Sequence, residues 1–159
     1  MPFYQYTIRD SSGVLRTGTS EADNEEFLSF RLQQQGFEVD SIERSSARTR
    51  DHNASKVRVS RNDVLVFWIQ FSIMIDGKVA RWRALDITAE RATSPMLSKV
   101  LHDVANHVVG GTPLHEAIAC YPNVFDKATI GIIHAGEVGN ALPDAIHRLI
   151  QYMELDRRR

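Results

Sequence analysis

From Ser60 to Asp156 the chain is broken at short intervals by residues that start and stop helices, and this punctuation excludes an all-β architecture. Ser60 with Asp63 three residues on forms a capping pair, and Gly77 closes the helix it opens. A second helix carries Trp82, Leu85, Ala89 and Ala92 at three-and-four spacing. Ser94-Pro95 places a cap and an N1 proline before the apolar stripe Leu97, Val100, Leu101, Val104 and Val108. Gly110-Gly111 stops that helix, and Thr112-Pro113 repeats the start signal for a short helix lined by Leu114, Ala117 and Ile118. Asp126 caps a fifth helix, with Ala128, Ile132 and Ile133 inward and Gly136 at its end. The sixth spans Asn140 to Asp156, with Leu142, Ala145, Ile146, Leu149 and Met153 on one side. Short loops between amphipathic helices predict an antiparallel six-helix bundle over 61–156.

Residues 1–43 read differently, as a small β-β-α-β module, so the expected class is mainly α with a small module in front. Phe3 to Ile8 is rich in aromatic and β-branched residues, Asp10 to Gly13 is a turn signal, and Val14 to Thr19 resumes a strand. Asp23 or Asn24 caps a helix whose inner side is expected to hold Phe27, Leu28, Phe30 and Leu32. Gly36 ends it, and Phe37, Val39 and Ile42 are expected to alternate as a third strand.

Charge divides the chain at the same places. Residues 1–43 set Arg9, Arg16 and Arg31 against eight acidic groups. Residues 44–61 set six basic groups against Asp51 alone, and Ser45 to Ser55 has almost no apolar side chain. Such a stretch cannot bury enough surface to offset its ordering entropy, so 44–60 reads as a basic flexible linker. With a formal net charge of −1, overall charge gives no reason to expect nucleic-acid binding. A helical nucleic-acid adaptor using the linker is the alternative reading. Arg81 and Arg83 do not share a helical face, however, and no docking motif is visible.

Catalytic constellations are missing from the sequence. The histidines, at 52, 102, 107, 115, 134 and 147, never take the HExxH spacing. The single cysteine, Cys120, excludes a disulfide framework, and at a helix C-terminus it meets the wrong dipole sign for a reactive thiolate. Gly110-Gly111-Thr112 is not a phosphate loop, because helix precedes it and no GxxxxGK[ST] occurs. Trp68 and Trp82 read as core. No enzyme activity, cofactor or metal is therefore expected. No signal peptide opens the chain, and the apolar run Val64 to Ile75 falls well short of the roughly 20 residues that span a bilayer.

The most distinctive run is His134 to Leu142, where Gly136 and Gly139 flank Glu137 between two helices. One reading is a turn with glycine in the left-handed region. That reading predicts a positive φ at Gly136 and an exposed Glu137 near the start of the sixth helix, of little weight in folding. The other adds close backbone approach by a second helix and a carboxylate held in a fixed place.

Here the sequence resembles the type II secretion F and type IV pilus C inner-membrane platform proteins. Their AGExxGxL pattern is matched by Ala135-Gly136-Glu137 and Gly139-Asn140-Ala141-Leu142. Gly111 to Ile118 is similar to the family's GxxLxxAL, Pro122 to Phe125 to its PxxF, and Leu149, Tyr152 and Glu154 to its LxxYxE. Asp63, Phe67, Gln70 and Gly77 resemble its opening helix, and Tyr4, Tyr6, Gly13, Gly18 and Gly36 the module that precedes it. Val79 to Arg83 departs from an apolar, proline-containing run usual in the family.

The resemblance implies a non-enzymatic platform component on the cytoplasmic side of a bacterial inner membrane. Its implied partners are a hexameric assembly ATPase, other platform subunits, and pilin or pseudopilin, with no nucleic acid. It implies coupling of the ATPase cycle to fibre assembly. It also implies membrane attachment through a segment beyond Arg157-Arg158-Arg159, which form a basic end. A homodimer is expected too, because ten of the twelve residues from Val64 to Ile75 are apolar, more than one buried stripe needs. Interface candidates are Gly136, Glu137, Gly139, Leu142, Phe67, Phe71, Arg81 and Arg83.

Overall fold

A computed structural model describes residues 2–45 and 59–157, without the side chains of Ser45 and Arg157. The body of the basic linker, 46–58, and the terminal Arg158-Arg159 lie outside the described residues. The chain divides into two compact units. One is Met1–Arg50 with Asn106–Thr112, the other Asp51–Ala105 with Pro113–Arg159.

In the first unit, β1 (Phe3–Arg9) pairs antiparallel with β2 (Leu15–Glu21) on one side and β3 (Glu38–Ser45) on the other, giving the sheet order β2-β1-β3. The Asp10 carboxylate makes the hairpin turn, accepting from the amides of Ser12 (2.9 Å) and Val14 (3.0 Å) while Gly13 takes a positive φ of 84°. Helix α1 (Glu25–Gln34) is capped by Asn24, whose side chain accepts from the Phe27 amide at 2.7 Å. Leu28 and Leu32 turn inward as expected, but Phe27 and Phe30 do not: both are exposed. A helix this short covers its sheet with one narrow stripe, and two of the four apolar side chains fall outside it.

Val39 and Ile42 both pair with β1 residues of the buried face, Val39 with Ile8 and Ile42 with Tyr6. Three residues apart, they could not share a face in a regular strand. A bulge reconciles them: Thr7 pairs with Ser41 and Ile8 with Val39, so Asp40 has no partner. Side chains of this unit also satisfy carbonyls of its segment Asn106–Thr112. The Tyr6 hydroxyl donates to the Asn106 carbonyl, Arg31 to the Gly110 carbonyl at 2.6 Å, and Gln35 to the Val109 carbonyl at 3.0 Å.

Six further helices follow: α2 (Arg61–Asp76), α3 (Arg81–Arg91), α4 (Pro95–Val109), α5 (Leu114–Ala119), α6 (Lys127–Val138) and α7 (Leu142–Arg157). The described chain is therefore mainly helical, with one small sheet before the six. Three starts are made by the short-range caps visible in the sequence. Ser60 accepts from the Asp63 amide (3.1 Å), Ser94 from Leu97 (3.2 Å) and Asp126 from Thr129 (2.7 Å).

In the second unit, Arg61 at the start of α2 reaches Asp156 near the end of α7 (2.9 Å), and Asp76 at the end of α2 meets His147 (3.0 Å). These two helices therefore run antiparallel. Their core holds Phe67, Trp68, Phe71 and Phe125 in one aromatic cluster, with centroids 4.7–6.4 Å apart and mostly tilted or edge-on. Trp82 is half-buried rather than core. On α6 only Ile133 of the three expected inward residues is buried, Ile132 being half-buried and Ala128 exposed. On α4 the innermost residues near the end are Ala105 and Val109, not Val108.

Candidate functional site

The run around Glu137 is built from the ends of four helices of the second unit. Helix α6 continues through Gly136 and Glu137 to Val138, so Gly136 is a helical residue, and it is not among the glycines with positive φ. This corrects the expectation of a left-handed glycine there. The left-handed residue is Asn140, at φ 53°. Around it the Ala141 amide donates back to the Gly136 carbonyl (2.8 Å) and the Asn140 amide to Glu137 (3.3 Å). This is a Schellman motif with asparagine in place of glycine. Gly136 is instead required by proximity. It is buried, and a Cβ there would overlap the Cβ of Ala145 on α7. The close helix approach weighed from the sequence is the one the fold uses.

Glu137 also differs from expectation. It occupies the last turn of α6, where the helix dipole disfavours a negative charge, and its side chain is only 9% exposed. What offsets that cost is a ring of donors. One carboxylate oxygen accepts from the His115 amide (2.7 Å) and His115 Nδ1 (2.8 Å). The other accepts from the Leu114 amide (3.0 Å) and the Arg81 guanidinium (3.0 Å). Leu114 and His115 are the first two residues of α5, whose unpaired amides would otherwise need a cap. Thr112, the sequence's candidate for that role, makes no side-chain cap, and Glu137 supplies it from another helix. Because a carboxylate only accepts, His115 Nδ1 carries the proton. The His115 ring stacks on His134 of α6 at 4.1 Å and 16°.

Chemically this is a lock rather than a reactive centre. Both carboxylate oxygens are engaged by N–H donors, and the group ties α3, α5 and α6 together. Among the described residues no group of three or more His, Cys, Asp or Glu side chains is placed to hold a metal ion. Cys120 caps the end of α5, half-buried, with its Sγ toward the Glu116 carbonyl (3.7 Å).

The other interface candidates separate into buried and exposed. Phe67, Phe71 and Leu142 are inside the second unit, Arg81 is taken up by Glu137, and Arg83 and Gly139 are exposed. Alongside the buried face of α2 runs a second apolar stripe at helical spacing: Val66 (44% exposed), Ile69 (37%) and Ile73 (68%). It is the surplus that the composition of this helix foretold, carried by residues other than those named from the sequence. The partners of Glu137 had no sequence signal, because Leu114 and His115 on α5 and Arg81 on α3 lie on other helices at no fixed spacing from it.

Among the described residues no helix is long and apolar enough to cross a membrane. Residues 67–159 match the family described as type II secretion system (T2SS), protein F, and residues 1–43 match its N-terminal domain. The type IV pilus assembly protein PilC of Myxococcus xanthus is 30% identical over 152 residues, covering 95% of this chain. The type II secretion system protein F of Xanthomonas campestris is 31% identical over 163 residues, covering 99%. The chain spans 36% and 40% of the length of these two relatives. With a match to the family's main domain over more than half its residues and to its N-terminal domain over the first 43, the chain belongs to the type II secretion system protein F family.

Proposed function

We propose that this chain is a non-enzymatic platform module of a type II secretion or type IV pilus assembly machine. The observation that carries the reading is the continuous similarity to such proteins over 95–99% of the chain. In this reading 1–43 and 61–156 are two folded modules on a basic tether, 44–60, with 157–159 leading toward a membrane segment of a longer protein. The six helices act as an antiparallel bundle on the cytoplasmic side of the inner membrane. They dock a hexameric assembly ATPase and other platform subunits, and pass the ATPase cycle to the assembly of pilin or pseudopilin. Glu137 supports this by making three helix ends one rigid piece, as transmitting a displacement requires.

Self-association through the outer face of α2 belongs to the same reading. Val66, Ile69 and Ile73 form an apolar stripe of the width that a two-fold helix pairing buries. The test combines light scattering at micromolar concentration with capture of the purified assembly ATPase of the same machine. A dimer and saturable ATPase binding are expected. A monomer at all concentrations overturns the self-association, and absence of ATPase binding overturns the docking role.

A further inference from the structure

The first unit carries a surface that neither the Glu137 lock nor the α2 stripe involves. Strand β3 is an edge strand, since β1 pairs on one side of it and no strand lies beyond it among the described residues. Between β3 and α1 runs an open groove of about 470 Å³. Glu25, Glu26 and Phe30 line it from the helix, and Val39, Asp40 and Ile42 from the strand.

Three properties of the groove point to one kind of occupant. First, the outward edge of β3 is of the sort to which an extended segment adds as a further strand. Second, the apolar lining is unfinished. Phe30 is 60% exposed, and Val39 and Ile42, on the same face as buried Tyr6 and Ile8, are only half-buried. Third, the charges have one sign: Glu25, Glu26 and Asp40 line the groove and no Lys or Arg does. The bulge at Asp40 takes that side chain out of the regular alternation of β3. Carboxylates around a partly apolar cleft repel one another, and a cationic occupant relieves that repulsion while covering the aromatic ring.

We propose that the α1–β3 groove docks an extended, basic segment of a partner protein, added as a fourth strand beside β3. Apolar side chains of that segment lie against Phe30, Val39 and Ile42, and its Lys or Arg side chains reach Glu25, Glu26 and Asp40. Successive side chains of a strand point to opposite sides and the helix overhangs only one, so the apolar and basic side chains that enter the groove come in turn from every second residue of the segment. The proposal is independent of the α2 face and of the ATPase reading.

The test uses the full 159-residue chain and a fluorescent nine-residue peptide with Val and Lys taken in turn at every second position and Ser between them, followed by anisotropy at low salt. Saturable binding is expected, with Phe30→Ser and Asp40→Lys each weakening it about tenfold or more while the circular dichroism spectrum stays unchanged. A peptide methylated on alternate backbone amides is expected to bind at least about tenfold more weakly, since it cannot complete the strand pairing. Binding that survives both methylation and Phe30→Ser is diffuse attraction to an acidic surface and overturns the proposal. So does no saturation at about 1 mM peptide in the natural chain, the weakest affinity worth a specific contact. If the peptide binds only after Arg48, Arg50, Lys56 and Arg58 are changed to Gln, the occupant is the chain's own basic segment, and the partner assignment is overturned.

Discussion

At the level of single residues, two glycines five positions apart on α6 have opposite roles. Gly136 is buried against Ala145, whereas a Cβ at Gly131 would meet nothing within 4 Å. Intrinsic helix propensity favours alanine at both by about 1 kcal/mol. Gly131→Ala is therefore expected to stabilise by about 0.5–1 kcal/mol. Gly136→Ala must separate α6 from α7 and is expected to cost about 1–3 kcal/mol. Denaturant unfolding of the two variants checks the contrast, and Ala145→Gly added to Gly136→Ala should restore part of the loss. Glu137 carries the larger single contribution. Glu137→Ala leaves two helix-start amides, a histidine N–H and an arginine without their acceptor, and is expected to lower stability by about 3 kcal/mol. Wild-type stability in that variant would contradict the lock. The sequence expectation of a nearly neutral Glu137→Ala followed from placing it on an exposed helix start, and its actual position reverses the conclusion.

At the scale of elements, the helix ends repeat one device with different residues. The turns after α2, α4 and α6 each place one residue in the left-handed region: Lys78 at φ 66°, Gly111 at 97° and Asn140 at 53°. A lysine there carries the Cβ penalty that glycine avoids. Lys78→Gly is expected to raise stability by about 1 kcal/mol, and Asn140→Gly by less, because asparagine tolerates the conformation. Thermal unfolding decides it, and no rise for Lys78→Gly would count against the turn geometry. The start of α6 sets a pH dependence. Burial pushes the Asp126 carboxyl up, but hydrogen bonds from the Thr129 backbone and side chain and the charge of Arg61 outweigh it, holding it below its usual value. A depressed folded pKa means the cap's contribution is complete above the unfolded carboxyl's pKa of about 3.9 and is lost as pH falls through the lower folded value. Asp126→Asn keeps an acceptor for Thr129 but cannot titrate. Its unfolding midpoint should therefore fall less steeply with acidification below about pH 4 than that of the natural chain. Equal slopes would remove Asp126 from the acid response.

For the whole molecule, the test of association lies on the outer face of α2 rather than at Phe67 and Phe71, which are consumed by the aromatic cluster. Ile69→Asp with Ile73→Asp changes exposed positions, so stability should move by no more than about 0.5 kcal/mol for each. Light scattering should nonetheless shift toward monomer. Phe71→Ala, by contrast, empties part of the core and should cost about 3–5 kcal/mol whatever the oligomeric state. A pair of aspartates that leaves a dimer intact would show that the stripe is not the interface.

Residue order alone specifies the features that depend on neighbours a few residues away. Ser60, Ser94, Asn24 and Asp126 each bond an amide three residues on, so three helix starts could be read directly from residue order and the fourth narrowed to Asp23 or Asn24. The charge blocks and the apolar excess of α2 were legible for the same reason, being sums over contiguous residues. The family pattern was legible because it is itself a set of spacings. Pairings across long stretches of chain were not legible in this way. The acceptor for the start of α5 lies 22 and 23 residues away, and Arg81 lies 56 residues from the carboxylate it meets. No local rule links such positions, because their approach is set by how whole helices pack. The same packing made Gly136 a helix contact rather than a left-handed turn residue and left Phe30 outside its core. It also exchanged the named aromatics of α2 for Val66, Ile69 and Ile73 as its outer face. A helix has only one face per neighbour, and periodicity alone does not say where the neighbours stand.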